Sequence, residues 1–93
     1  MLARKILVVD DEATLLETIA YNLEQSGYQA FTAADGNSAL EAARKEDPDL
    51  VILDIMLPGM DGLDVCRHLR REHNTAAVPI LCSQRKEKRS IKW

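Results

Sequence analysis

The chain has 93 residues, 46% of them hydrophobic and 29% charged, and a net charge of −3. That length holds one domain, the composition excludes intrinsic disorder, and the weak negative charge gives no general attraction to nucleic acid or anionic membrane. The longest apolar runs are strand-sized, which argues against a membrane span, and residues 1–5 lead into four apolar residues and then acids, unlike a secretory signal.

Ile6-Leu7-Val8-Val9 carries no polar alternation, the pattern of a strand buried on both faces, as in a parallel sheet. Asp10-Asp11-Glu12 follows, and then Leu15, Leu16, Ile19, Ala20 and Leu23 recur at the spacing of one helical face. Ser26-Gly27 supplies the stop, because glycine takes the left-handed conformation a helix end needs. Residues 28–33 mix aromatic and small side chains with Gln29 and Thr32, which suits a strand nearer an edge. Gly36 or Asn37 opens a second helix with Ala39, Leu40, Ala42 and Ala43 on one face. That helix must end before Pro48, whose ring keeps Asp47 out of helical geometry. Leu50-Val51-Ile52-Leu53 is a second fully apolar strand, ending in Asp54. A third helix over residues 62–72 is expected to bury Leu63, Cys66 and Leu69 and to turn Arg67, Arg70 and Arg71 to water. Val78-Pro79-Ile80-Leu81 then reads as a fourth strand. Right-handed crossovers stack this β-α-β-α-β-α-β order as a parallel sheet with helices on both faces.

Ligands of open parallel sheets bind beyond the carboxyl ends of the strands, where the strand order reverses. Two of the apolar runs end in acids, one in Asp10-Asp11-Glu12 and the other in Asp54. If those strands are neighbours, three aspartates converge and repel. A divalent cation relieves the repulsion, and an all-oxygen donor set suits magnesium. Asp10 or Asp11 could instead cap the first helix, which is worth about 0.3–1 kcal/mol. For Asp54 that reading is weaker, since Ile55-Met56-Leu57-Pro58-Gly59 forms a loop and not a capped helix. His68 and His73 lie on or just after an arginine-rich helix face, where a solvated role outweighs phosphate handling. Cys66 reads as core, and Cys66 and Cys82 together read as reduced thiols of a cytoplasmic protein. Arg85-Lys86-Glu87-Lys88-Arg89 lacks the interleaved aromatics of a nucleic-acid patch.

Ile6-Leu7-Val8-Val9-Asp10-Asp11-Glu12 and, later, Leu53-Asp54-Ile55-Met56-Leu57-Pro58-Gly59-Met60-Asp61-Gly62 resemble the response-regulator receiver family, most of all receivers joined to winged-helix transcription regulators. Both motifs stand in order at the family's separation. The resemblance implies a flavodoxin-like, doubly wound α/β sheet of strand order 2-1-3-4, the family's fifth strand and last helices being absent. It implies that Asp54 accepts a phosphoryl group from a phosphohistidine on a histidine kinase or phosphotransfer protein. It further implies that Mg2+ is held by Asp11, Asp54 and the backbone carbonyl of Met56, with Asp10 acting largely through water. Such a chain phosphorylates itself and is no independent enzyme. Aspartate-nucleophile phosphohydrolases place a second acid where Met56 stands, and Gly59 and Gly62 lack a P-loop lysine. The competing reading is a chemically silent receiver fragment, or a binding-only pseudo-receiver whose relay is gone.

After Leu81 the resemblance stops. Where a receiver continues with an apolar residue, then Leu, then Thr or Ser, then Ala, this chain reads Cys82-Ser83-Gln84-Arg85. Codons for residues 81–93, read from the third base of the Leu81 codon, permit Met-Leu-Thr-Ala-Lys-Gly-Glu-Glu-Val-Asp-Lys-Val, the expected receiver continuation. The division is therefore an incomplete receiver over residues 1–81 and an out-of-frame tail over residues 82–93. Without a fifth strand, the fourth becomes an open edge suited to self-association.

Overall fold

A computed structural model describes residues 3–54, 57 and 60–83. The elements run β1 (Lys5–Val9), α1 (Ala13–Gln25), β2 (Gln29–Ala33), α2 (Gly36–Glu46), β3 (Leu50–Asp54), α3 (Gly62–Arg71) and β4 (Ile80–Ser83). All three strand pairings are parallel, and the sheet order is β2-β1-β3-β4. The doubly wound α/β architecture and the 2-1-3-4 order expected from the sequence are both present.

Strand alternation divides the core into two layers. Leu7, Val9, Val51 and Leu53 point to one face, where they pack with Ala39, Leu40 and Ala43 of α2 and Val65 and Leu69 of α3. Ile6 and Val8 point to the other face and meet Leu16 of α1, with Ile19, Leu23, Leu50 and Ile52 partly buried around them. β1 is buried on both faces from Ile6 to Val9, and β3 is buried on the Val51–Leu53 face with Leu50 and Ile52 half-buried on the other, which matches the lack of polar residues over 6–9 and 50–53.

The helix ends follow local chemistry. Gly27 takes φ +96° just beyond α1, as expected of a helix stop. The first cap of α2 is Asp35, whose carboxylate accepts from the Ser38 backbone N–H at 2.8 Å, so Gly36 is the first helical residue. At its other end Asp47 turns left-handed at φ 53°, the adjustment that lets the chain reach Pro48. The Lys5 ammonium donates to the Glu46 carbonyl at 3.0 Å and the Asp49 carboxylate accepts from the Lys5 backbone N–H at 2.8 Å, pinning the start of β1 to the α2–β3 turn.

Two expectations need correction. The buried stripe of α3 is Gly62, Val65 and Leu69, with Cys66 half-buried at its flank, whereas Leu63 is 50% exposed. Residues 62, 65 and 69 follow the i, i+3, i+7 rule; Leu63 falls a third of a turn away. The fourth strand begins after Pro79 and runs through Cys82 to Ser83. Pro79 has no N–H for the ladder and contributes only its carbonyl, which accepts from Val51 N–H at 3.0 Å. Thr75, fully buried, donates to the Leu69 carbonyl at 2.6 Å and fastens the turn that leads from α3 toward β4. Among the described residues no helix is long and apolar enough to cross a membrane.

Leu7 is 1% exposed at the middle of the larger layer. Truncating it should remove about 2–5 kcal/mol of stability, a large share for a chain this short. Urea unfolding of Leu7→Ala is therefore expected to show a sharply lower midpoint at unchanged slope; a midpoint equal to that of the parent chain would contradict this packing.

Candidate phosphoacceptor and metal site

Parallel pairing of β1 with β3 sets Val9 beside Leu53, so the residues that follow emerge at the same edge of the sheet. β2 lies on the opposite side of β1, which makes the β1–β3 boundary the place where the strand order reverses. There Asp10, Asp11 and Asp54 each present a carboxylate oxygen, all within 4.8 Å of one another. Asp10 and Asp54 are buried, at 5% and 1% exposure, and Asp11 is exposed.

Asp10 is fixed through its backbone and its side chain. Its N–H donates to the Ala33 carbonyl at 3.1 Å, and its Oδ1 accepts from the Glu12 N–H at 2.9 Å. This tight turn, an aspartate bonding the backbone two residues on, replaces the capping role left open by the sequence. The residue at the α1 N-cap is Glu12, and it makes no side-chain capping bond. Asp10 therefore shapes the approach to the helix without capping it.

Met60, just before α3, is approached from the neighbouring helix. Gly36, at the start of α2, lies so close to Met60 that a Cβ there would come within 2.7 Å of the Met60 Cβ. Leu57 and Met60 pack against the larger core layer. Asp61 then caps α3, its carboxylate accepting from Leu63 N–H at 3.0 Å. Sequence reasoning missed Gly36 as a contact point and Asp61 as a cap; an aspartate directly before a helix was the available signal for the second. Met56, the expected carbonyl ligand, lies outside the described residues, as do Pro58 and Gly59.

The histidines stay outside the site. His73 is exposed, and the half-buried His68 ring bonds the Asp64 carbonyl of its own helix at 2.8 Å through Nδ1.

Ionised carboxylates gathered at one place repel one another, and a cation among them relieves that repulsion. For scale, any two unit charges of like sign about 4.8 Å apart repel by about 3.5 kcal/mol at an effective dielectric of about 20, and the oxygens here lie within that limit. The donor set is all oxygen, partly buried and open on the Asp11 side, which fits Mg2+ with water and phosphate oxygens completing its shell.

The family described as the response regulator receiver domain matches residues 6–92. The chain belongs to this family. Receivers of known sequence or structure are similar to most of it. The alkaline phosphatase synthesis transcriptional regulatory protein PhoP of Bacillus subtilis (strain 168) is 46% identical over 84 residues, covering 90% of this chain and 35% of that protein. The chain thus spans about a third of the length of that relative. The chemotaxis response regulator CheY4 of Vibrio cholerae superposes with a TM-score of 0.84 at 32% identity, over 94% of this chain and 77% of its own. The receiver domain of the sensor histidine kinase PA1611 from Pseudomonas aeruginosa PAO1 has a TM-score of 0.81 at 31% identity, over 87% of this chain and 66% of its own. That receiver carries a magnesium ion coordinated in its active-site cleft.

If this receiver's aspartates repel as their spacing implies, neutralising one should stabilise the metal-free chain. Asp54→Asn is expected to gain on the order of 1–3 kcal/mol without metal. The parent chain alone should gain further stability on adding Mg2+, about 2.7 kcal/mol at a hundredfold excess over Kd. Thermal melts of both proteins with Mg2+ or with chelator test this. A parent melting point indifferent to Mg2+ would count against a metal site.

Proposed function

We propose that the chain acts as the phosphoacceptor module of a two-component phosphorelay, with Asp54 as the acceptor. The observation that carries this reading is the meeting of Asp10, Asp11 and Asp54 at one sheet edge in a chain of the receiver family. The phosphoryl donor is a phosphohistidine on a partner histidine kinase or phosphotransfer protein. An Asp54 carboxylate oxygen forms the new bond to phosphorus as the phosphorus–nitrogen bond breaks, and the imidazole keeps that electron pair.

Asp11 and Asp54 would hold the Mg2+, with the carbonyl of Met56 completing the protein ligands and Asp10 acting through water. When bound, the ion supplies neutralisation of the negative charge on the transferring oxygens. The chain's own residues do the rest. The packing of β3 among Leu7, Val9 and Val65 holds Asp54 at the strand end. The Asp10 turn to Glu12 N–H orients the acids that follow β1. Burial of Asp54 at 1% exposure keeps bulk water from competing for its surroundings.

Because the acceptor is consumed once per transfer, the chain is not an enzyme acting on a separate substrate. It works in the cytoplasm, where partner kinases present their phosphohistidines, and it does not itself bind nucleic acid.

Incubation with a small phosphodonor such as acetyl phosphate should add one phosphoryl group in the presence of Mg2+. Chelation should reduce the uptake to background, and Asp54→Ala should abolish it; intact-mass measurement and peptide mapping provide the readout. Uptake that persists in Asp54→Ala would refute the assignment. No uptake by the parent chain would favour the silent, binding-only reading.

The proposal extends to residues 82–93 as a segment read out of frame, which the codon compatibility of its 12-residue alternative supports. Sequencing the DNA downstream of the Leu81 codon is expected to reveal Leu-Thr-Ala-Lys in the shifted frame. A sequence whose third bases forbid that reading removes the idea.

A further inference from the structure

Among the described residues outside the acid cluster, two nucleophilic side chains meet at one place. The sulfurs of Cys66 on α3 and Cys82 on β4 stand 4.0 Å apart. We propose that Cys66 and Cys82 form a redox modification site, closing a reversible intramolecular disulfide that ties α3 to the strand beside Asp54.

The fold brings them together across 16 positions of sequence. Cys66 packs at the flank of the larger core layer, and Ile80 of β4 packs against the same layer. Cys82 lies two residues beyond Ile80, so strand alternation returns it to that face. A separation of 4.0 Å is ordinary contact between thiols, while a disulfide bond needs about 2.05 Å. Closing the disulfide requires the two sulfurs to approach by about 2 Å.

The two thiols differ in a way that assigns their order of reaction. Cys82 is exposed and Cys66 half-buried. Burial pushes the Cys66 thiol up to about 11, with the Cys82 sulfur adding to the effect and Arg70 opposing it. Cys82 is thus the entry thiol and Cys66 the resolving one.

The oxidant is a low-molecular-weight disulfide. The Cys82 thiolate attacks one of its sulfurs and expels a small thiolate, leaving a mixed disulfide. Cys66 then gives up its proton to solvent and attacks the Cys82 sulfur, expelling the second small thiolate. Two protein thiols are oxidised, and one small disulfide is reduced to two thiols.

In a reducing cytoplasm the pair rests as the dithiol and closes only transiently, the usual behaviour of redox-sensing cysteines there. Cys82 pairs with Leu53 and Ser83 with Asp54, so the tether bears on the strand next to the acceptor. The pair belongs to the 93-residue chain as it stands, and a displaced reading frame in the gene yields that same chain with Cys82 in it.

The test equilibrates the 93-residue chain with graded mixtures of reduced and oxidised glutathione, then maps its peptides by mass without reduction. The expected product is the Cys66–Cys82 disulfide within one chain, forming roughly tenfold or more readily in the folded chain than in concentrated urea because the fold raises the local thiol concentration. Cys66→Ser should stop at a glutathione adduct on Cys82, and Cys82→Ser should leave the Cys66 thiol intact. Equal closure in urea, separate glutathione adducts on both cysteines, or predominance of disulfides between chains would overturn the proposal. None of these readouts depends on phosphorylation of Asp54.

Discussion

The parallel register of β1 against β3, Ile6 with Leu50 through Val9 with Leu53, is the constraint from which the functional end of this molecule follows. Parallel strands bring both carboxyl ends to one edge, so the residues that end or follow them must share that edge. In antiparallel pairing Asp10 and Asp54 would lie at opposite ends of the sheet. β2 and β3 flank β1 on opposite sides, and their connecting helices therefore leave an opening above the β1–β3 boundary. Asp10, Asp11 and Asp54 stand at that boundary, with carboxylate oxygens within 4.8 Å of one another.

That placement has an electrostatic cost. A repulsion of about 3.5 kcal/mol for one ionised pair is a substantial fraction of the 5–15 kcal/mol by which a typical domain is stable. The apolar strands bear it. Leu7, Val9, Val51 and Leu53 are almost wholly buried, and their packing against α2 and α3 leaves the acids little freedom to move apart. Strain held at a site by a rigid frame is the condition under which a cation, or a change of charge at one carboxylate, alters local stability by an appreciable amount. A softer frame would relax and lose the response.

Much of this was legible in the residues. Unbroken apolar runs at residues 6–9 and 50–53 announce doubly covered strands, and acids at the end of each locate the site before any coordinate is known. The stop at Gly27 and the break before Pro48 were equally plain, since both rest on backbone geometry that the residue type alone dictates. What escaped depends on tertiary context. Leu63 and Val65 are both apolar within one turn of α3, and only the direction of α3 across the sheet decides that Val65 is buried and Leu63 exposed. The extent of β4 was obscured because Pro79 interrupts the apolar run; pairing with Leu53 and Asp54 extends the strand through Cys82 and Ser83. The Asp10 turn, the approach of Gly36 to Met60 and the Cys66–Cys82 contact involve partners that no periodicity relates.

The two faces of the sheet are unequally finished among the described residues, and the difference bears on how the site is supported. The α2–α3 face holds a layer that is closed from Ala33 through Leu53 to Leu69. On the α1 face only Ile6, Val8 and Leu16 are buried, Leu50 and Ile52 are partly covered, and Leu81, the register partner of Ile52, is 60% exposed. Local opening of a protein starts where buried apolar contacts are fewest, so α1 and its face should yield before the other layer. The layer that also packs Leu57 and Met60 is the one better able to hold its geometry. Rigidity in this fold is therefore concentrated behind the acceptor strand, while the compliance lies on the α1 face.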